Sequence, residues 1–140
     1  MYNKIAELVK AAEESGKPIS ELMLLQEMAK SHRTREDIWE QMRNNYHVMK
    51  AAVEKGLAGD GVFSPTGLTG GEAVKLRNYR QRGNTLSGDD LLIAVESAIA
   101  TNEVNASLGI ICATPTAGSS GTLPGVMFAI KDKLGLTEEQ

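Results

Sequence analysis

The groups best suited to chemistry lie in one stretch, Thr101 to Val126, which reads TNEVNASLGIICATPTAGSSGTLPGV. Its centre, Thr114 to Gly121, is made of Thr, Ser, Gly and Ala with one Pro. Small residues let backbone N–H groups approach a ligand closely, and Gly118 and Gly121 are free to take φ > 0. Hydroxyls at Thr114, Thr116, Ser119, Ser120 and Thr122 add donors and acceptors. After Thr122 and Pro124 an apolar helical pattern begins. Its first turn would aim free N–H groups and the positive end of the dipole back at the loop. The combination suits a carboxylate or another small anion. It suits equally a capped turn between two helices, because Ser, Thr and Gly are ordinary residues at helix ends.

Upstream, Leu91, Val95, Ala98, Asn102 and Asn105 fall on one helical stripe, so an apolar face ends in two amides pointing the same way. Buried amides need partners. These two either bind the backbone of the following loop or present donors to a ligand held there. Glu103, one position round, is a partner for a ligand ammonium or a plain surface acid. A second Gly/Ser/Thr loop, GDGVFSPTGLTGG over residues 59 to 71, also feeds a helix start through Thr69, Gly70, Gly71 and Glu72.

Other chemistry is missing. There is no Gly-x-x-x-x-Gly-Lys-Ser/Thr phosphate loop, no Gly-x-Ser-x-Gly elbow around Ser119 or Ser120, and no His-Glu-x-x-His or Cys-x-x-Cys. His32 and His47 lack a neighbouring second ligand and read as surface or packing residues. Cys112 is the only cysteine, which rules out an internal disulfide and fits a reducing cytoplasm.

The elements that must position these groups are helical. Ile5, Leu8, Val9 and Ala12 mark a helix over residues 3–14, broken by Gly16 and Pro18. A second helix starts near Ser20. Its Leu22, Leu24, Leu25 and Met28 are apolar on more than one side and read as buried. Thr34 with Asp37 is a capping signal for a third helix, Arg35 to Lys55, whose Ile38, Met42, Tyr46, Met49, Val53 and Leu57 step by three or four. A short helix through Ala73, Val74, Leu76 and Tyr79 carries Lys75, Arg77, Arg80 and Arg82 on a face read as solvated. Ser87-Gly88-Asp89-Asp90 opens the next helix, with acids in its first turn, running to about Ala106. Leu108 to Ala113 is too short to assign. A last helix spans Leu123 to Leu134, with Gly135 as its stop. Thr137 to Gln140 forms a further capping box. It announces a helix, so the expectation is a truncated polypeptide that stops where its next element begins.

The chain of 140 residues is long enough for one domain. Apolar residues at 41% and charged residues at 24% are those of a globular protein. Aromatics at 4% leave the core to Leu, Ile, Val, Ala and Met. A net charge of −3 without a basic block argues against nucleic-acid binding. No apolar run is long enough to span a membrane, and the N-terminus reads as an amphipathic helix start rather than a signal peptide.

The motif Ala113-Thr114-Pro115-Thr116-Ala117-Gly118-Ser119-Ser120-Gly121, with Asn102-Glu103-x-Asn105-Ala106 upstream, resembles the alpha chain of bacterial iron-sulfur-dependent L-serine dehydratase (L-serine ammonia-lyase). TGLTGGEAVKL at 66–76, LLQEMAKSHRTREDIWEQM and HVMKAAVEKGL carry the resemblance across the whole chain. It implies an all-α domain of about six helices, part of a larger helical domain. It implies cytoplasmic amino-acid catabolism, with L-serine deaminated to pyruvate and ammonia together with a beta chain, in a homo- or hetero-oligomer. The implied cofactor is a 4Fe-4S cluster, not pyridoxal phosphate. One iron acts as a Lewis acid on the substrate hydroxyl and a base removes the α-proton.

By the same resemblance, Thr114, Thr116, Ala117, Gly118, Ser119, Ser120 and Gly121 hold the substrate carboxylate. Asn102 and Asn105 position that loop, and Thr69 and Gly70 lie near it. The cluster cysteines of the family fall beyond the position of Gln140, so no metal ligand is expected in this chain, and Cys112 is expected to be a small buried side chain. The catalytic base is not assigned to His32 or His47. Alone, the chain is expected to be inactive. A non-catalytic helical interaction module, its loops mere helix caps, is the alternative; a pyridoxal enzyme is a third and weaker one.

Overall fold

A computed structural model describes residues 2–140. It contains α1 (Ile5–Ser15), α2 (Ile19–Ser31), α3 (Arg35–Ala58), α4 (Glu72–Gln81), α5 (Asp89–Ala106) and α6 (Ser119–Leu134). No strand occurs among the described residues, so the expected all-α class holds. The chain divides within α3 into two compact units, Met1–Asn44 and Asn45–Gln140.

In the first unit α1 packs on α2, and the Tyr2 N–H donates to Gln26 Oε1 at 2.7 Å. The Arg35 guanidinium forks onto the Glu21 carboxylate at 3.0 and 2.5 Å. The expected burial of α2 is not found. Only Leu22 is buried, while Ile19, Met23 and Leu25 stay exposed, because within this unit α1 covers only one side of the helix. The Thr34 capping box is present: the Asp37 N–H donates to Thr34 Oγ1 at 3.1 Å, and Thr34 returns its N–H and hydroxyl to Asp37 Oδ2 at 3.1 and 2.7 Å. Those donors hold the Asp37 carboxyl below its usual range. Thr34→Ala is expected to lower stability by about 1 kcal/mol, read by urea unfolding.

The second unit is built around α5, with α4 and α6 packed against it. Ala52, Val62 and Val104 form its innermost cluster, with Ile111 against them. Helices α5 and α6 approach closely because Gly121 and Gly125, one turn apart, leave room for the backbone of α5. A Cβ on Gly121 would sit 2.7 Å from the Ala98 carbonyl oxygen, and one on Gly125 would sit 2.5 Å from that of Ala94. Glu138 accepts from Lys50 at 2.7 Å, with His47 at 3.5 Å, and Lys133 pairs with Asp90. The terminal capping box is made reciprocally between Thr137 and Gln140, at 3.0 and 3.3 Å.

Three expectations are corrected here. Helix α6 begins at Ser119 rather than Leu123, so Ser119, Ser120 and Gly121 form its first turn and not the loop. Pro124 lies inside it. Lacking an N–H, Pro124 gives nothing to the Ser120 carbonyl; the first turn closes on the Gly118 carbonyl, which accepts the N–H groups of Gly121 and Thr122. On α5 the stripe of Leu91 and Val95 is exposed, at 55% and 37%, and Asn102 and Asn105 are exposed with it. The buried side is one position round, through Leu92, Glu96, Ser97, Ala100, Thr101, Glu103 and Val104. Two buried acids on that side masked it as a polar face. Finally, Arg80 on α4 is not solvated but turned inward onto Glu96.

Candidate functional site

The loop entering α6 turns at Gly118, whose φ of 81° is a left-handed value that glycine takes without strain. No side chain caps the α6 backbone at that residue. The neighbouring hydroxyls hold the loop instead. Ser120 Oγ accepts the Thr114 N–H at 3.2 Å and lies 3.2 Å from Thr114 Oγ1. Ser119 Oγ donates to the Thr116 carbonyl at 2.5 Å, accepts the Thr116 N–H at 3.2 Å, and also meets Thr114 Oγ1. Thr122 Oγ1 donates to the Gly118 carbonyl at 3.2 Å.

The hydroxyls are thus engaged within the loop, whereas the N–H groups of Ala117, Gly118 and Ser120 make no hydrogen bond among the described residues. Pro115, Thr116, Ala117 and Gly118 are exposed. What this arrangement offers a ligand is backbone N–H groups beside the positive end of α6.

Of the two upstream amides, Asn102 comes against this turn: a Cβ on Gly121 would lie 2.9 Å from its Oδ1. Asn105 is exposed and makes no side-chain hydrogen bond among the described residues. In the second loop, Ser64 and Thr69 exchange backbone and side-chain bonds, with the Ser64 N–H on the Thr69 carbonyl at 2.9 Å and the Thr69 N–H on Ser64 Oγ at 3.2 Å. Gly70 is buried and gives its N–H to Glu72 Oε2 at 2.7 Å. Both loops therefore end on the same turn of α5: one reaches Asn102, the other Glu103.

Glu103 is the residue whose place the sequence reading missed. It is no surface acid. It is 3% exposed, and its Oε1 accepts the N–H groups of Glu72 at 2.5 Å and Ala73 at 3.2 Å, so it caps α4 from a different helix. The available signal was the spacing of Glu96 and Glu103, seven residues apart and so on one side of the helix.

Cys112 is half-buried rather than buried, its Sγ 3.8 Å from the Ala113 carbonyl. His32 ends α2 in a left-handed conformation, and His47 lies at the surface beside Glu138. Two cavities lie elsewhere. One of about 270 Å³ is bordered by Tyr46, Phe128, Arg80 and Glu96, and one of about 430 Å³ by Leu22, Leu25 and Ala29. Among the described residues no group of three or more His, Cys, Asp or Glu gathers as a metal site, and no helix is long and apolar enough to cross a membrane.

Residues 14–140 match the family model described as serine dehydratase alpha chain. The chain is 54% identical over its whole length to the probable L-serine dehydratase alpha chain of Bacillus subtilis, covering 46% of that protein. It is 36% identical over 95% of its length to the L-serine dehydratase alpha chain of Peptoniphilus asaccharolyticus, covering 45% of it. L-serine dehydratase 2 of Escherichia coli is 28% identical over 90% of this chain and is covered over 28% of its own length. The chain spans about half the length of the first two of these relatives. No solved structure matches it.

Proposed function

This chain belongs to the serine dehydratase alpha-chain family, and we propose on that footing that it supplies the substrate-carboxylate loop of an L-serine ammonia-lyase, which converts L-serine to pyruvate and ammonia in the cytoplasm. The observation that carries the reading is the set of uncommitted N–H groups at the start of α6, those of the exposed Ala117 and Gly118 and of the half-buried Ser120. They are the donors for the acid group of serine. Thr114, Ser119 and Ser120 keep the loop in shape through their hydroxyls, Thr116 through its carbonyl and N–H, and Gly121 by letting the turn sit close on Asn102. Thr69 and Gly70 brace the neighbouring turn, and Asn105 faces solvent on the same end of α5.

The residues present do not fit a 4Fe-4S cluster. Such clusters are held by several thiolates, and Cys112 is the only cysteine here. In our reading the cluster ligands and the catalytic base belong to other parts of the assembled enzyme, the beta chain among them, and no step is assigned to them through this chain. Turnover is accordingly a property of the assembly and not of these residues alone.

The closed hydroxyl network also favours a second reading, in which the loops only cap helices of an interaction module. The two separate in the complete enzyme. Ser119→Ala combined with Ser120→Ala is expected to raise the KM for serine about tenfold, equivalent to about 1.4 kcal/mol of binding. Unchanged steady-state kinetics would count against the carboxylate loop. Amide shifts confined to residues 114–122 on titrating this chain with L-serine would support it.

A further inference from the structure

A carboxylate as buried as Glu103 is rare unless a cation pairs with it, and among the described residues no Lys, Arg or His does so. Its Oε1 is occupied by the N–H groups of Glu72 and Ala73. Its Oε2 is buried with no hydrogen-bond partner. Next to it stands another acid, Glu72, whose backbone N–H it accepts and whose carboxyl, on an exposed residue, takes the Gly70 N–H. Lys75 is the cation acting on that pair, through Glu72. Two carboxylates in one site do not both ionise cheaply. A proton on Glu103 Oε2, donated to the Glu72 carboxylate, turns the orphan oxygen into a donor, removes the repulsion, and leaves Oε1 free for both N–H groups.

We propose that Glu72 and Glu103 hold one proton between them, and that this acid–carboxylate pair makes Glu103 the positioning residue that fastens the Gly70–Gly71 turn to α5, next to the Asn102 against which α6 begins. The turn has little freedom on its other side: Gly70 has φ 142°, and a Cβ there would lie 2.7 Å from the Phe63 Cα. The acid pair therefore sets where this loop stands relative to the α6 loop. Burial, and then the hydrogen bond to Glu72, push Glu103 above the usual carboxylate range. The hydrogen bond from Glu103, and then the Gly70 N–H, hold Glu72 below it. Only the bearing of this turn on the α6 loop as a serine site rests on the carboxylate-loop reading; the pair itself does not.

The test uses the full chain without serine, so its failure leaves the carboxylate-loop reading standing, and failure of that reading leaves the pair standing. Carbon NMR of the side-chain carboxyls, followed against pH, is expected to show Glu103 titrating above and Glu72 below the ordinary glutamate range. Glu103→Gln keeps an acceptor for both N–H groups and a donor for Glu72, and is expected to leave the amide shifts of Gly70, Glu72 and Ala73 near their native positions. Glu103→Ala should displace all three.

The sign of the pH effect follows from the raised affinity of Glu103 for its proton in the folded state. Native stability should fall relative to Glu103→Gln as pH rises from the ordinary carboxylate range through the raised folded value, then level off. Ordinary titration of both acids overturns the pair. So does a glutamine variant that disturbs the three amides as much as alanine, or a stability difference that does not vary with pH. Should Glu103→Ala fail to fold, the native titration and the glutamine variant still decide.

Discussion

Replacing Arg80 with alanine is expected to lower the stability of this chain by about 3–5 kcal/mol, the usual consequence of leaving one member of a buried ion pair without its partner. The Arg80 Nε donates to Glu96 Oε2 at 3.0 Å and a terminal nitrogen to Oε1 at 2.8 Å, a fork that only a planar guanidinium matches. Side-chain exposure is 18% for Arg80 and 3% for Glu96, so the pair is largely shielded from water and the loss of one charge leaves the other poorly solvated. Near the midpoint of thermal unfolding the loss corresponds to roughly 10–17 °C. The control is Arg80→Met with Glu96→Leu, which removes both charges and is expected to recover most of the stability. Urea unfolding of the three variants decides. A loss under about 1 kcal/mol for Arg80→Ala would mean that the pair is solvated, since surface pairs contribute no more than that.

Gly56→Ala is expected to destabilise by about 2 kcal/mol, although alanine is the better helix former by about 1 kcal/mol. A Cβ at Gly56 would fall 2.6 Å from the Cα and the carbonyl carbon of Ala100, which is fully buried on α5. Those are backbone atoms, so no rotamer relieves the overlap and the helices must part. Parting them opens the cluster of Ala52, Val62 and Val104. Thermal unfolding is the measurement, and a variant as stable as the native chain would show that α3 and α5 do not approach this closely in solution.

Much of the helical plan was legible from residue order. Gly16 and Pro18 break the first helix, the Thr34–Asp37 box opens the third, and Gly135 closes the last. These signals act within one turn of chain, through φ preference and side-chain capping, and need no other part of the molecule. The site was legible in its composition but not in its wiring. Ser119 and Ser120 were readable as hydroxyl donors; that they spend those hydroxyls on Thr114 and Thr116, leaving backbone N–H groups free, follows from where Gly118 turns the chain.

The inner face of α5 escaped the periodicity argument altogether. Leu91 and Val95 are apolar and exposed, while Glu96 and Glu103 are acidic and buried. Hydropathy assigns each side chain its cost in water, not the partners that will meet it. Arg80 reaches Glu96 from α4, and the N–H groups of Glu72 and Ala73 reach Glu103 from the same helix. By itself, then, the sequence determined the helices, their breaks and the Gly/Ser/Thr loop, because each is set by neighbours along the chain. Only the tertiary structure decided which side of α5 is interior and which acids it shelters, because a charge is tolerated inside only where residues distant in sequence bring it hydrogen bonds.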